Sequence, residues 1–177
     1  MSFTEFALRM FPYWSLGGLM FWAIWKSDFK DLLRFDLKAF SKFFLYMLTI
    51  SLIRYFMIKW IVGMGMGSNF QAVKGIPIGA VFFTPWEDLC HSVPLVLLRR
   101  MIGTSKWTWP IHTVMLITVT TSFGLGHIYQ GYWAAAMISL YIPFAVGFIQ
   151  KRGASTIMAS HVLYDFCTLM VVRLVIG

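Results

Sequence analysis

"TPWEDLCHSVP", residues 84 to 94, places Glu87, Asp88 and His91 inside a run that is otherwise apolar from Ile76 to Leu98. Ionisable side chains are costly in a hydrocarbon-like segment, so something must make three of them tolerable there. The composition around the stretch is extreme. Of 177 residues, 59% are hydrophobic, 18% aromatic and only 12% charged, against a globular average of roughly 45–50% apolar and about 25% charged. In water such a chain would expose large apolar patches. The class it fits is an integral membrane protein.

Six apolar segments follow one another: Phe11–Trp25, Phe43–Val62, Ile76–Leu98, Pro110–His127, Tyr132–Ile149 and Ala154–Ile176. A spanning helix needs about 20 apolar residues, so the first is short. The pattern predicts an all-α fold: a multi-pass transmembrane helix bundle of about six spanning helices, in a single membrane-embedded domain over residues 1–177. Between the first two segments, Phe29, Leu32, Leu33, Leu37 and Phe40 recur at helical spacing, with Lys30, Arg34 and Lys38 on other faces. That spacing predicts one interfacial amphipathic helix. The Gly- and Met-rich "GMGMGSNFQAVKG", residues 63 to 75, reads as a loop. Arg9 precedes the first apolar run and Lys26 follows it without a small-x-small cleavage site, which predicts a retained first helix.

The net charge is +8, yet the basic residues are not grouped as a nucleic-acid-reading patch. They sit between apolar runs: Lys26 to Lys42, then Arg99, Arg100 and Lys106, then Lys151 and Arg152. This bias predicts that those three connections face the cytoplasm and that both termini lie outside it. The expected location is the plasma (inner) membrane. Cys90 and Cys167 show neither disulfide nor zinc-knuckle spacing and read as packing residues.

Within the segments lie Arg54, Glu87, Asp88, His91, His127, His161, Asp165 and Arg173. A lone histidine or arginine in a bundle is commonly a helix-to-helix hydrogen bond, and Arg173, near a helix end, can snorkel. Convergence weakens that reading. Glu87 and His91 are four apart, as are His161 and Asp165, so each pair shares a helix face. At about 1.5 Å per residue, Arg54, Glu87, Asp88 and Asp165 all come out roughly 15 Å from the basic end of their segments. His127 comes out nearer the opposite face. The matched depths of Arg54 and Asp88 on consecutive segments predict an ion pair between them.

The Glu87-Asp88 pair, "FGLGH" at 123–127 and "HVLYD" at 161–165 together resemble the three motifs of the CAAX protease and bacteriocin-processing (CPBP) family of intramembrane endopeptidases. That family shows E-E-x-x-x-R, F-x-x-x-H and H-x-x-x-N or -D, each on its own helix. "GFIQKRGASTIMASHVLYDF" also resembles its basic turn before the last motif. The likeness covers residues 80 to 167, within a core of about 76–176, and the first 75 residues carry no motif. Asp88 stands in place of the second glutamate, Ser92 in place of the arginine, and Asp165 where asparagine is commoner.

The resemblance implies hydrolysis of a peptide bond in a membrane-associated or lipid-modified peptide or protein. Glu87 would be the general base on water, His127 would position that water, and His161 with Asp165 would bind the oxyanion. Asp88, His91 and Arg54 would support them. No cofactor, metal or nucleic acid is implied; the partners are the substrate and the lipid bilayer. A metal-dependent protease is a competitor, since His91, His127, His161 and Glu87 could supply ligands, although H-E-x-x-H is absent. A non-catalytic immunity or interaction factor on the same scaffold and a proton-coupled carrier are further alternatives.

Overall fold

The computed structural model of the chain describes residues 3–57, 60, 76, 78–103 and 105–176. Among them the fold is all-α, without strands. The helices are α1 (Phe3–Lys26), α2 (Leu37–Phe56), α3 (Thr84–Ile102), α4 (Thr108–Gly126), α5 (Tyr132–Ser139), α6 (Tyr141–Arg152) and α7 (Ala154–Ile176). Short 3₁₀ turns occupy Lys30–Leu33, Ile78–Phe83 and Ile128–Gln130.

The helix that carries Glu87 and Asp88 is the centre of the molecule. α3 packs against α1, α4, α6 and α7, while α2 lies along α7. On α3, Leu89, Val93 and Val96 recur at helical spacing and are fully buried. They form one core with Ile142, Ala145 and Ile149 of α6, Ile157 of α7 and Phe43 of α2. Outward faces are apolar as well: Leu8, Trp22, Phe82, Trp109, Val114 and Leu174 are all exposed. Among the described residues, two helical stretches are long and apolar enough to cross a membrane, Tyr132–Arg152 and Ala154–Leu174.

The structure departs from the sequence segmentation in several places. The first segment is longer than expected, because α1 has 24 residues, about 36 Å at the usual rise. The interfacial amphipathic helix is not formed. Lys30–Leu33 is a single 3₁₀ turn with Leu32 buried, Arg34 is extended, and Leu37 and Phe40 belong to α2. Asp36 is the reason, since its side chain accepts the Ala39 N–H at 3.0 Å and caps α2. The fifth segment breaks at Leu140 into α5 and α6. Pro143 cannot donate to the Ser139 carbonyl, and its ring would clash there. The loop at residues 63–75 lies outside the described residues.

The three basic connections meet at one end of the bundle. Arg100 reaches both Asp31 oxygens at 2.8 and 2.9 Å, Arg152 pairs with Asp36 at 3.0 Å, and Arg99 donates to Gln150 at 3.2 Å. The Arg34 guanidinium donates to the Lys151 carbonyl. Ser155 donates to the Leu33 carbonyl at 2.6 Å, and the Asp36 N–H donates to Thr156 at 2.8 Å. Gly153 lets α6 turn into α7 beneath this lattice. Its φ is +93°, and a Cβ there would overlap the Arg34 carbonyl oxygen.

Two outcomes follow from this end of the molecule. Gly153→Ala should destabilise by about 3 kcal/mol, combining left-handed strain with overpacking. Gly147→Ala, whose Cβ meets nothing within 4 Å, should be neutral or stabilising; thermal unfolding of both variants checks the contrast.

The hydrogen bond from Arg100 holds the Asp31 carboxyl below its usual value of 3.8, with the Arg100 and Arg34 charges adding to it. A depressed carboxylate stabilises the fold fully above the unfolded value and progressively less as pH falls through the folded one. Asp31→Asn should therefore cost ~0.2–1 kcal/mol near neutral pH, the scale of an exposed pair. The gap from the unsubstituted protein should close as the pH is taken below 3.8. Unfolding midpoints across an acid series measure it.

Candidate functional site

Glu87 and Asp88 are neighbours, and an α-helix turns about 100° per residue, so the two carboxyls leave α3 in different directions. Glu87 lines an open cavity of about 640 Å³ between the helices. Asp88 turns into the core, where its side chain is 0% exposed.

A fully buried carboxylate must have its oxygens satisfied. Asp88 does so with two partners. Tyr141, the first residue of α6, donates its hydroxyl to Oδ1, and His161 of α7 lies 3.2 Å from Oδ2 through Nδ1. A carboxylate can only accept, so the shared hydrogen is on Nδ1 of His161. That commitment turns Nε2 toward Asp165, whose Oδ2 is 3.7 Å away. Asp165 in turn accepts from the Thr84 hydroxyl at 2.8 Å. A polar chain thus runs Tyr141–Asp88–His161–Asp165–Thr84 across α6, α3 and α7.

The other two histidines of the cavity are oriented by carbonyls of their own helices four residues back. Nδ1 of His91 is 2.8 Å from the Glu87 carbonyl, and Nδ1 of His127 is 2.9 Å from the Phe123 carbonyl. A carbonyl also only accepts, so both rings carry their hydrogen on Nδ1 and keep Nε2 as a lone-pair nitrogen. Phe123 is wedged between them, 5.3 Å from the His91 ring and 4.6 Å from the His127 ring, with Tyr141 at 5.8 Å. Gly124 lets α4 come close enough to α5 to hold this wedge, since a Cβ there would lie 2.9 Å from the Ser139 Cβ.

Of the residues singled out in the sequence, Arg54, Glu87, His91, His127, His161 and Asp165 all line the one cavity, and Asp88 lies directly behind it. His127 reaches it although depth counting put that residue nearer the opposite face. α4 ends at Gly126 and His127 caps it, so the ring comes in from a helix terminus. The Arg54–Asp88 ion pair is not formed. Both Asp88 oxygens are taken by Tyr141 and His161, and α2 packs along α7. Arg54 faces the cavity. Arg173 does not lie free near its helix end; it donates to the Ile76 carbonyl at 2.9 Å. Ser92 is fully buried, and its hydroxyl has no hydrogen-bond partner among the described residues.

Three contributors escape a reading from sequence. Tyr141 and Thr84 complete the polar chain, and Ser51 hydrogen-bonds Tyr164 beside Asp165. Their one shared signal is a hydroxyl in an apolar run, which calls for a partner once buried. Among the described residues, no three His, Cys, Asp or Glu side chains are grouped as metal ligands. No protein-family model, curated protein or solved structure matches the chain.

The Asp88 anchor has a measurable signature. Tyr141→Phe should cost ~1–3 kcal/mol, because it leaves a buried acceptor unsatisfied. On an Asp88→Leu background the same change should cost little, since the acceptor is gone. A double-mutant cycle of unfolding free energies reads the difference, and additivity would contradict the hydrogen bond.

Proposed function

We propose that the chain is a multi-pass membrane protein of about six spanning segments that hydrolyses a peptide bond of a membrane-associated peptide or protein, as its resemblance to the CPBP endopeptidases implies. The observation that carries the reading is the shared cavity. A carboxyl on α3, a histidine at the end of α4 and a histidine–aspartate pair on α7 all face the same space. Exposed apolar surface around the bundle supports the membrane setting.

The chemistry fits the side chains in hand. The Glu87 carboxyl has no hydrogen bond to another side chain among the described residues and is open to the cavity. It takes one proton from water as the water oxygen bonds to the peptide carbonyl carbon. The lone pair on His127 Nε2 holds the second water hydrogen and aims the attack. The carbonyl oxygen becomes an oxyanion beside His161, whose imidazolium form, set between the Asp88 and Asp165 carboxylates, carries a second hydrogen on Nε2 and donates it to that oxygen. The carbon–nitrogen bond then breaks, and Glu87 returns its proton to the leaving amine. Asp88 and Tyr141 fix the His161 ring; His91 braces Phe123 from the other side.

A non-catalytic binding protein on the same scaffold is the second reading. It is favoured by Ser92, which leaves the motif without its arginine. Glu87→Gln separates the two. Glutamine keeps the shape and loses the proton acceptor, so cleavage should fall by about 10²–10⁴-fold with folding retained, the scale of general-base catalysis. Turnover by the unsubstituted protein should persist after chelation and need no added zinc. Full cleavage by purified Glu87→Gln protein would falsify the mechanism.

A further inference from the structure

Away from the cavity, the first turns of α2 and the length of α6 from Pro143 to Arg152 form the walls of an open groove of about 460 Å³. Its two ends differ in chemistry. Lys38 and Lys42 on α2, one turn apart, and Lys151 at the end of α6 form one end, all three exposed. Pro143, Phe144 and Gly147 form the other. From Lys151 to Pro143 the groove descends about 12 Å along α6, the helical rise over that span.

The floor is aromatic and fixed. Phe148 packs on Phe43 at 4.8 Å between ring centroids, and Phe144 packs on Tyr46 at 4.4 Å. Gly147 keeps the groove open, since a side chain there would project into empty space. The acidic residue at the rim, Asp36, is neutralised by Arg152 at 3.0 Å. The three lysines have no ion-pair partner among the described residues. A cationic end and an apolar trough match a molecule with an anionic head and a hydrocarbon tail. A free anion would leave the trough unused, and a neutral lipid would leave the lysines unused. Lysine suits such a head as a mobile point charge.

We infer that this groove binds an anionic phospholipid, with its phosphate head on Lys38, Lys42 and Lys151 and an acyl chain along Gly147 and Phe144. The inference rests on the membrane setting proposed above and is independent of peptide cleavage. Basic pockets between helices at a membrane surface bind such heads.

The test uses the purified full chain in detergent with an equimolar mixture of phosphatidylglycerol and phosphatidylcholine, read by native mass spectrometry. Phosphatidylglycerol should dominate the bound lipid. Replacing all three lysines (Lys38→Gln, Lys42→Gln, Lys151→Gln) should lower its preference by about a hundredfold, since each interfacial cation contributes about fivefold. Gly147→Leu keeps every charge and fills the trough, so it should weaken retention of phosphatidylglycerol while the fold is kept. It also decides the matter should the triple variant not fold. Equal binding of the two lipids, or retention unchanged in Gly147→Leu, overturns the proposal. Displacement of the lipid by inorganic phosphate at millimolar concentration overturns it too, because the lysines would then hold a free anion. Alkaline extraction of cell membranes tells the two premises apart. A chain released into the wash contradicts the membrane setting, whereas a retained chain indifferent to the head group contradicts only the lipid site.

Discussion

A carboxylate with no exposed surface can exist in this bundle only if other helices bring it hydrogen-bond donors, and Asp88 obtains them from α6 and α7. That requirement ties three helices at one depth. It sets the His161 ring by committing Nδ1, which leaves Nε2 for Asp165 and the cavity. It also draws Tyr141 inward, where its ring packs on His161 at 4.5 Å and on Phe43 at 6.0 Å. An isolated charge would have destabilised the core. A satisfied one selects a single arrangement of α3, α6 and α7, and the cavity geometry follows from it.

The pair Glu87-Asp88 divides two tasks between adjacent residues. One carboxyl is locked into the core network and is immobile by virtue of its partners. The other faces open space, where it is available to water or a ligand. A single residue could not meet both demands, since the partners that hold a buried carboxylate also occupy its lone pairs. The two adjacent carboxyls are therefore tolerated for different reasons. Asp88 is tolerated because it is paired, and Glu87 because it borders a cavity.

Much of this was legible in local spacing. Glu87 with His91 and His161 with Asp165 announce shared faces through their four-residue separation, and all four line the cavity. Long-range partnership was not legible. Tyr141 lies 53 residues from Asp88, and a tyrosine in an apolar run reads equally well as packing. Arg54 was matched to Asp88 by depth and by sequence order, but α2 packs along α7, so adjacency in the chain misled. Depth counting also assumes straight, unbroken helices. It failed for His127, which caps a terminus, and it could not foresee the break before Pro143. The amphipathic pattern near Leu33 hid a stronger local signal, the Asp36 cap.

The lattice at the basic end has a mechanical consequence. Asp31, Arg34, Asp36, Arg100 and Arg152 fasten the ends of α2, α3, α6 and α7 to one another and to the turn between α1 and α2. Gly153 locks under this lattice because its neighbour leaves no space above it. Rods joined at one end have a single easy way to separate, which is to fan apart at the other. The Asp88–His161 and Thr84–Asp165 contacts hold α3 to α7 beside the cavity, so that freedom falls to α2, whose Ser51 meets Tyr164 of α7 one turn before Arg54. A tilt of a few degrees of α2 about the basic end is magnified along the helix into a change of ångströms where Arg54 faces the open space.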